Sequence, residues 1–246
     1  MKFTETYRIS SHDLAHNNRM RPSAILRYMM ETANRNMYVQ KPSYSELLAR
    51  GYAFLVGRTH LCIYSDVQAY DAVTVETWAI PEKGASFDRC YRLLKDDKVV
   101  AEAYCVFGLL NLNTKKLCRA GDFELSYYTD EPLPISTRFR LPECDMTIVG
   151  EREIRYADTD CNAHMNNTNY PDMLCDFIPE IDSVRVSDVQ IQFVSEAPLD
   201  ERLTVKMGRC EESDKTVFAF ETVRADGTVN IRALIETETA EPSIGF

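Results

Sequence analysis

Residues 22–33 have the sequence PSAILRYMMETA and carry the one good helical pattern in the first half of the chain. Pro22 suits the first turn of a helix. An apolar stripe at helical spacing follows, formed by Ile25, Leu26, Met29, Met30 and Ala33. The surrounding segments are rich in β-branched and aromatic residues, which predicts strands at 3–9, 59–65, 72–80, 86–94 and 99–110. The first half is therefore predicted to hold one helix among five strands.

The second half of the chain repeats this order. Its segments predict a strand at 151–156, a helix at about 167–177, and further strands at 184–194, 203–210, 216–224 and 229–237. The two helices align at an offset of 145 residues, which places Pro22 on Asn167. We predict an α+β fold in two domains, 1–130 and 149–246, with a proline-containing linker at 131–148. Two unrelated α+β domains are the alternative, which the matching element order disfavours.

The composition is that of an ordinary globular protein, with 45% hydrophobic and 27% charged residues. No apolar run approaches the roughly 18 residues needed to cross a bilayer, and the first twenty residues lack the apolar segment of a signal peptide. We therefore expect a cytoplasmic protein without membrane insertion. The eight cysteines are scattered without any CxxC pair, so we expect free, mostly buried thiols and no zinc or redox motif.

Charge is unevenly distributed along the chain. The net charge is −10, but residues 1–60 carry nine Lys/Arg against four Asp/Glu. Such a basic first quarter could form a docking face for an acidic partner, and a solvated helix face is the equal alternative. Nucleic acid is not an expected partner, because phosphate would repel an acidic chain that lacks a concentrated basic stripe.

The most informative polar segment is 155–167, RYADTDCNAHMNN, which lies between a predicted strand and the second predicted helix. Alternation along an extended or looped backbone can bring Asp160, Asn162 and His164 to one side, with Cys161 and Ala163 on the other. The imidazole and the amide could orient a reacting group, while free N–H groups at the helix start could polarise a carbonyl oxygen. Helix capping is the alternative, but it explains only one or two of these polar side chains.

The pattern D-x-D-x-N-x-H-x-N-N-x-x-Y at 158–170 resembles the signature of the acyl-acyl carrier protein (ACP) thioesterases of plants and bacteria. A looser form marks hot-dog thioesterases that act on coenzyme A esters. The resemblance implies a tandem, or double, hot-dog fold, in which each antiparallel sheet wraps a central helix. It also implies a catalytic group made of Asp160, Asn162 and His164 from the loop and Glu196 from the following strand.

One position departs from the family pattern. Plant members commonly have a cysteine directly after the glutamate, where this chain has Ala197. The resemblance then implies direct hydrolysis, with Glu196 or Asp160 as the general base on a water molecule. His164 and Asn162 would position the reactants. No metal and no organic cofactor is implied, because the ligand spacing of a zinc site is missing.

The resemblance assigns substrate binding to both halves. The acyl chain would bind along the first half, against Ile25, Leu26, Met29, Met30 and Ala33, although such a stripe is more often plain core. Asn166 and Asn167 would bind the substrate beside the catalytic loop. Cys161 and Cys175 lie near the motif and are interpreted as small core residues.

The resemblance implies hydrolysis of fatty acyl-ACP thioesters to free fatty acid and ACP, which terminates chain elongation. The partner would then be ACP, an acidic protein that the basic first quarter could receive. An acyl-coenzyme A thioesterase, a non-catalytic acyl-binding module and a hot-dog dehydratase are the alternatives. The absence of a transit-like segment favours a bacterial type, and the sequence leaves open a monomer or a homodimer.

Overall fold

Antiparallel strands are the main kind of regular secondary structure, as the sequence pattern predicts. The computed structural model describes residues 1–122, 125, 127–212 and 215–239, without the side chains of 211 and 212. Two units can be distinguished: the first contains Met1–Ser11 and Ile25–Thr137, and the second contains His12–Ala24 and Arg138–Phe246. Within the described residues, no helix has the length and apolar character required to cross a bilayer.

Six antiparallel strands lie in the described part of the first unit. They are β1 (Phe3–Arg8), β2 (Tyr52–Ile63), β3 (Ala72–Ala79), β4 (Arg89–Lys95), β5 (Lys98–Asn111) and β6 (Lys116–Leu117). Hydrogen bonding places them in the order β1-β3-β4-β5-β2, with β6 also on β5. The predicted strands at 3–9, 72–80 and 99–110 are confirmed to within two residues. The predicted strand at 59–65 was too short, because β2 begins at Tyr52 and continues through a bulge between Val56 and Arg58.

The predicted first helix is confirmed and is longer than its apolar stripe. Helix α1 extends over Pro22–Val39. Four members of the stripe are buried, and Met30 is half-buried, with its sulfur 3.6 Å from the hydroxyl of Tyr91 on β4. A second helix, α2 (Tyr44–Ala49), lies between α1 and β2, where the sequence pattern predicts no helix or strand. Ser43 and Glu46 form a capping box there, which is the sequence signal that was missed.

The second unit repeats the sheet but shortens the helix. Its strands are β7 (Thr147–Glu153), β8 (Val184–Phe193), β9 (Arg202–Glu212), β10 (Lys215–Val223) and β11 (Val229–Thr239). They hydrogen-bond in the order β8-β11-β10-β9-β7. The helix predicted at 167–177 is instead a 3₁₀ turn, Asn167–Asn169, followed by α3 (Tyr170–Cys175). The helix of the second unit therefore ends at Cys175, two residues before the predicted end, and only its last six residues are α-helical.

A short early segment of the chain belongs to the second unit. Residues His12–Ala24 lie there, ahead of the main part that begins at Arg138. Ser23 attaches this segment to α3, because its backbone N–H and its hydroxyl both donate to the carboxylate of Asp172, at 3.0 and 2.5 Å. The second unit is thus built from two separate parts of the sequence.

The eight cysteines are free thiols. Most of them are not buried, which contradicts the prediction of mostly buried thiols. Cys90, Cys105 and Cys118 are buried, four others are half-buried, and Cys161 is exposed. Burial raises the pKa of Cys90 and of Cys105 to about 12 in each case. The interpretation of Cys161 as a core residue is wrong, because it lies at an exposed turn.

Gly208 on β9 packs directly against the segment before β7. A Cβ atom at this position would lie 2.5 Å from Cys144 Sγ and 3.1 Å from the carbonyl oxygen of Asp145. We expect Gly208→Ala to lower the free energy of unfolding by roughly 1–3 kcal/mol, because overpacking forces a shift. Urea unfolding of Gly208→Ala and of Gly208→Ala/Cys144→Ala tests this. The double variant should recover much of the loss, and an unchanged midpoint in the single variant would contradict the packing.

Candidate active site

Asp158 anchors the polar loop that follows β7. Its carboxylate accepts hydrogen bonds from Arg152 Nη2 at 2.6 Å and from the Arg155 backbone N–H at 2.9 Å. Its carbonyl oxygen accepts from the Asn166 backbone N–H at 2.8 Å and from Asn169 Nδ2 at 3.2 Å. Asp158 therefore joins the start and the end of the loop. Each oxygen of its carboxylate accepts one of these hydrogen bonds.

The loop closes as a tight turn and does not alternate along an extended backbone. Thr159 and Met165 form an antiparallel bridge. The Asp160 N–H donates to the His164 carbonyl at 2.9 Å, and the Ala163 N–H donates to the Asp160 carbonyl at 3.0 Å. Ala163 has a φ of 61°, in the left-handed region that non-glycine residues rarely adopt. The backbone is therefore looped here, and the placement of Asp160, Asn162 and His164 on one side stays a prediction.

Glu196 reaches the loop because residues 197–199 run alongside it. The Met165 N–H donates to the Ala197 carbonyl at 2.8 Å, and the Leu199 N–H donates to the Ala163 carbonyl at 3.1 Å. This pairing brings Glu196 Oε2 to 3.4 Å from His164 Nδ1, an ion-pair distance. The side chain of His164 is 34% exposed and that of Glu196 is 64% exposed, so water can reach both.

Asp160 and Asn162 lie in the same turn. Asp160 Oδ1 accepts a hydrogen bond from the Asn162 backbone N–H at 2.8 Å. Asp160 is half-buried, whereas Asn162 is exposed. At least one carboxylate oxygen of Asp160 thus helps to close the turn, as an aspartate in an Asx turn does.

The N–H groups at the helix start are largely used within the protein. Asn166 Oδ1 accepts from the backbone N–H and the hydroxyl of Thr168, at 2.9 and 2.8 Å. The Asn169 N–H donates to the Asn166 carbonyl at 2.9 Å. The prediction that these amides polarise a carbonyl oxygen is therefore wrong for Thr168 and Asn169. Asn166 acts as a helix cap, and Asn167 is exposed beside it.

The other predicted binding residues belong to the first unit. Ile25, Leu26, Met29 and Ala33 lie in its core, and Met30 is half-buried on the same helix. Near the motif, Cys175 is half-buried, and burial raises the pKa of its thiol. Two buried residues with polar groups lie close to Glu196: Tyr170, the last residue of the sequence motif, and Asn230, which the sequence analysis does not single out. Burial raises the pKa of Tyr170 to about 12.

Comparison with known proteins identifies the family of this chain. Residues 9–136, more than half of the chain, match the family model of the thioesterase-like superfamily. The chain belongs to the thioesterase-like superfamily. Residues 144–238 of this thioesterase-like protein match the model of the acyl-ACP thioesterase C-terminal domain, which confirms the resemblance found in the sequence. Comparison with curated protein sequences gave no match.

Solved structures support the hot-dog fold of this thioesterase-like protein. It is similar to an acyl-ACP thioesterase from Bacteroides thetaiotaomicron VPI-5482, with 21% identity over 96% of this chain and 97% of that one, and a TM-score of 0.86. A 12:0-ACP thioesterase from Umbellularia californica gives 18% identity, coverage of 97% and 94%, and a TM-score of 0.80. A MaoC-like dehydratase from Phytophthora capsici gives 14% identity, coverage of 76% and 72%, and a TM-score of 0.54.

Proposed function

We propose that this thioesterase-like protein hydrolyses fatty acyl-ACP thioesters on a double hot-dog scaffold, releasing free fatty acid and terminating chain elongation. The observation that carries the proposal is the pairing of His164 with Glu196 at 3.4 Å beside the loop that holds Asp160 and Asn162. The match of residues 144–238 to the acyl-ACP thioesterase model supports it. In this proposal residues 149–246 carry the catalytic group and residues 1–130 bind the acyl chain.

Glu196 is the proposed general base. Its carboxylate is exposed to water, whereas Asp160 uses an oxygen to close its own turn. Glu196 takes a proton from a water molecule, and the oxygen of that water attacks the thioester carbonyl carbon. The carbon–sulfur bond breaks, and the departing thiolate takes a proton from the His164 imidazolium. Glu196 then passes its proton to His164, which restores the starting state.

Asn162 and Asn167 are the proposed contacts to the reacting thioester. Both side chains are exposed on the catalytic loop or directly after it. An amide N–H that points at the carbonyl oxygen stabilises the negative charge that develops there in the transition state. Asn166 acts indirectly, because its side-chain oxygen is bonded to Thr168. No metal or organic cofactor takes part in the proposed reaction.

The acyl chain is proposed to bind along α1 in the first unit. The stripe from Ile25 to Ala33 is apolar, and Met30 contributes an adaptable thioether side chain. The basic first quarter supports an acidic carrier: Arg8 and Arg50 are exposed, although Lys41 is paired with Glu46 at 3.1 Å. ACP is the proposed partner on this ground and on the family match.

Comparison of two carriers tests this function. We expect purified protein to release fatty acid from a medium- to long-chain acyl-ACP panel with a kcat/KM at least about tenfold higher than from acyl-coenzyme A of the same length. Free thiol and fatty acid should appear in equal amounts. Activity on coenzyme A esters alone would mean that the carrier is coenzyme A and not ACP, while the proposed hydrolysis would stand. No hydrolysis of any acyl thioester would favour the acyl-binding module instead.

A further inference from the structure

A fully buried asparagine lies behind Glu196. Asn230, near the start of β11, has an exposure of 0%, and both ends of its amide are used. Its Nδ2 donates to the Ser195 carbonyl at 2.5 Å, and its Oδ1 accepts from the Thr222 hydroxyl at 3.0 Å. An amide buried without partners would cost free energy, so this residue is matched closely to its surroundings.

Asn230 continues the hydrogen bonding between the two strands beyond the end of β8. The last paired residues of β8 and β11 are Phe193 and Ile231. Beyond them the Asn230 carbonyl accepts from the N–H groups of Val194 and Ser195, at 2.9 and 3.0 Å. One residue thus holds Ser195 on both sides, its N–H through a carbonyl and its C=O through a side chain. The Ser195 carbonyl belongs to the peptide group that enters Glu196.

Glu196 lies between two anchored residues. Ser195 is held by Asn230, and Ala197 accepts a hydrogen bond from the Met165 N–H in the catalytic loop. The Glu196 side chain itself is 64% exposed, so little packing fixes it. Its approach to His164 is therefore set mainly by the backbone on either side.

A second contact ties Asn230 to the helix of the same unit. The Tyr170 hydroxyl, at the start of α3, forms a side-chain hydrogen bond with Asn230. The Tyr170 ring packs edge-on against Phe193 with centroids 5.6 Å apart. Asn230 therefore joins the end of β8, the end of β10 and the first turn of α3.

We propose that Asn230 is a positioning residue for catalysis: it fixes the peptide before Glu196 and so sets the distance between Glu196 and His164. This inference rests on the proposed function. A buried amide held only for folding would affect stability, whereas a positioning residue affects kcat through Glu196.

A double-mutant cycle separates these roles. We expect Asn230→Ala to lower kcat about 10- to 100-fold with KM changed less than about threefold. In the Glu196→Gln background the same substitution should change kcat less than about twofold, because the group it positions is already lost. Equal losses in both backgrounds, or a rise in KM with kcat unchanged, would overturn the proposal.

Two further variants control for folding. Thr222→Val keeps the shape of the side chain and removes the hydroxyl that donates to Asn230, so a loss of roughly 3- to 10-fold in kcat, again absent with Glu196→Gln, is expected even if Asn230→Ala does not fold. Ser187→Ala removes another buried hydroxyl, at the far end of β8, and should leave kcat within twofold. A loss with Ser187→Ala equal to that with Thr222→Val would point to stability alone.

The outcome also distinguishes this inference from the proposed function. If Glu196→Gln retains wild-type kcat, the proposed catalytic group is wrong and the inference falls with it. If Glu196→Gln is impaired while Asn230→Ala and Thr222→Val retain wild-type kcat, the proposed function stands and only the role of Asn230 is rejected.

Discussion

Replacing His164 with alanine is expected to lower kcat for acyl thioester hydrolysis by at least about 100-fold, with KM nearly unchanged. The substitution removes the ring that lies 3.4 Å from Glu196 and donates the proton to the departing thiolate in the proposed reaction. Glu196→Gln keeps the shape of the side chain but cannot take a proton, so a loss of similar size is expected. Steady-state release of free thiol from acyl-ACP measures both.

His16→Ala provides the matched control for His164→Ala. His16 belongs to the same unit and its Nε2 lies 2.7 Å from an Asp182 carboxylate oxygen, but its side chain is 76% exposed. An exposed ion pair of this kind contributes little to the stability of the fold. Because His16 also has no role in the proposed reaction, kcat should stay within about twofold of the wild type. A His164→Ala variant that keeps more than a tenth of wild-type kcat would remove His164 from the proposed mechanism.

The second large effect is expected at Asp158. Asp158→Asn removes the negative charge that pairs with Arg152 at 2.6 Å while preserving the size of the side chain. Breaking a largely buried ion pair leaves the remaining charge without compensation, and we expect the free energy of unfolding to fall by about 2 kcal/mol. Arg152 Nε is buried and has no hydrogen-bond partner among the described residues, so Arg152 has little to replace the lost carboxylate.

Urea unfolding measures this loss, and Glu151→Gln is its control. Glu151 precedes Arg152 on β7 and pairs with Arg202 at 3.4 Å, but both side chains are more than half exposed. The control should change the free energy of unfolding by less than about 0.5 kcal/mol. Because Asp158 joins both ends of the catalytic loop, its variant should also lose kcat. Equal stability of the two variants would show that the Arg152 pair contributes no more than a surface pair.

The strands could be predicted from the sequence because each carries β-branched and aromatic residues between clear turn signals. The turn at Asp96 and Asp97, with φ of 49° and 59°, lies between the predicted strands 86–94 and 99–110. The turn at Gly227, with φ of 86°, lies between the predicted strands 216–224 and 229–237. The second helix could not be sized in this way. The segment predicted as one helix at 167–177 begins with a 3₁₀ turn that Asn166 caps. The α-helical part, α3, has Pro171 near its start and ends at Cys175.

The candidate site was predicted by family resemblance more than by periodicity. His164 and Glu196 are 32 residues apart, and only the pairing of 163–165 with 197–199 brings them together. Nothing in the sequence around Asn230 marks it as buried, since a polar residue near a strand start usually faces water. Its role depends on which carbonyl lies within reach, and that is a property of the folded sheet.

The two parts of the second unit are synthesised at different times, because His12–Ala24 comes early in the chain. This segment leaves the ribosome more than a hundred residues before the main part, which begins at Arg138. Until α3 has been synthesised, the Asp172 carboxylate is absent, so Ser23 cannot form its two hydrogen bonds to it. A fragment that began at residue 138 would lack the two hydrogen bonds that Ser23 donates to Asp172. The second unit therefore completes its fold only when nearly the whole chain has been made.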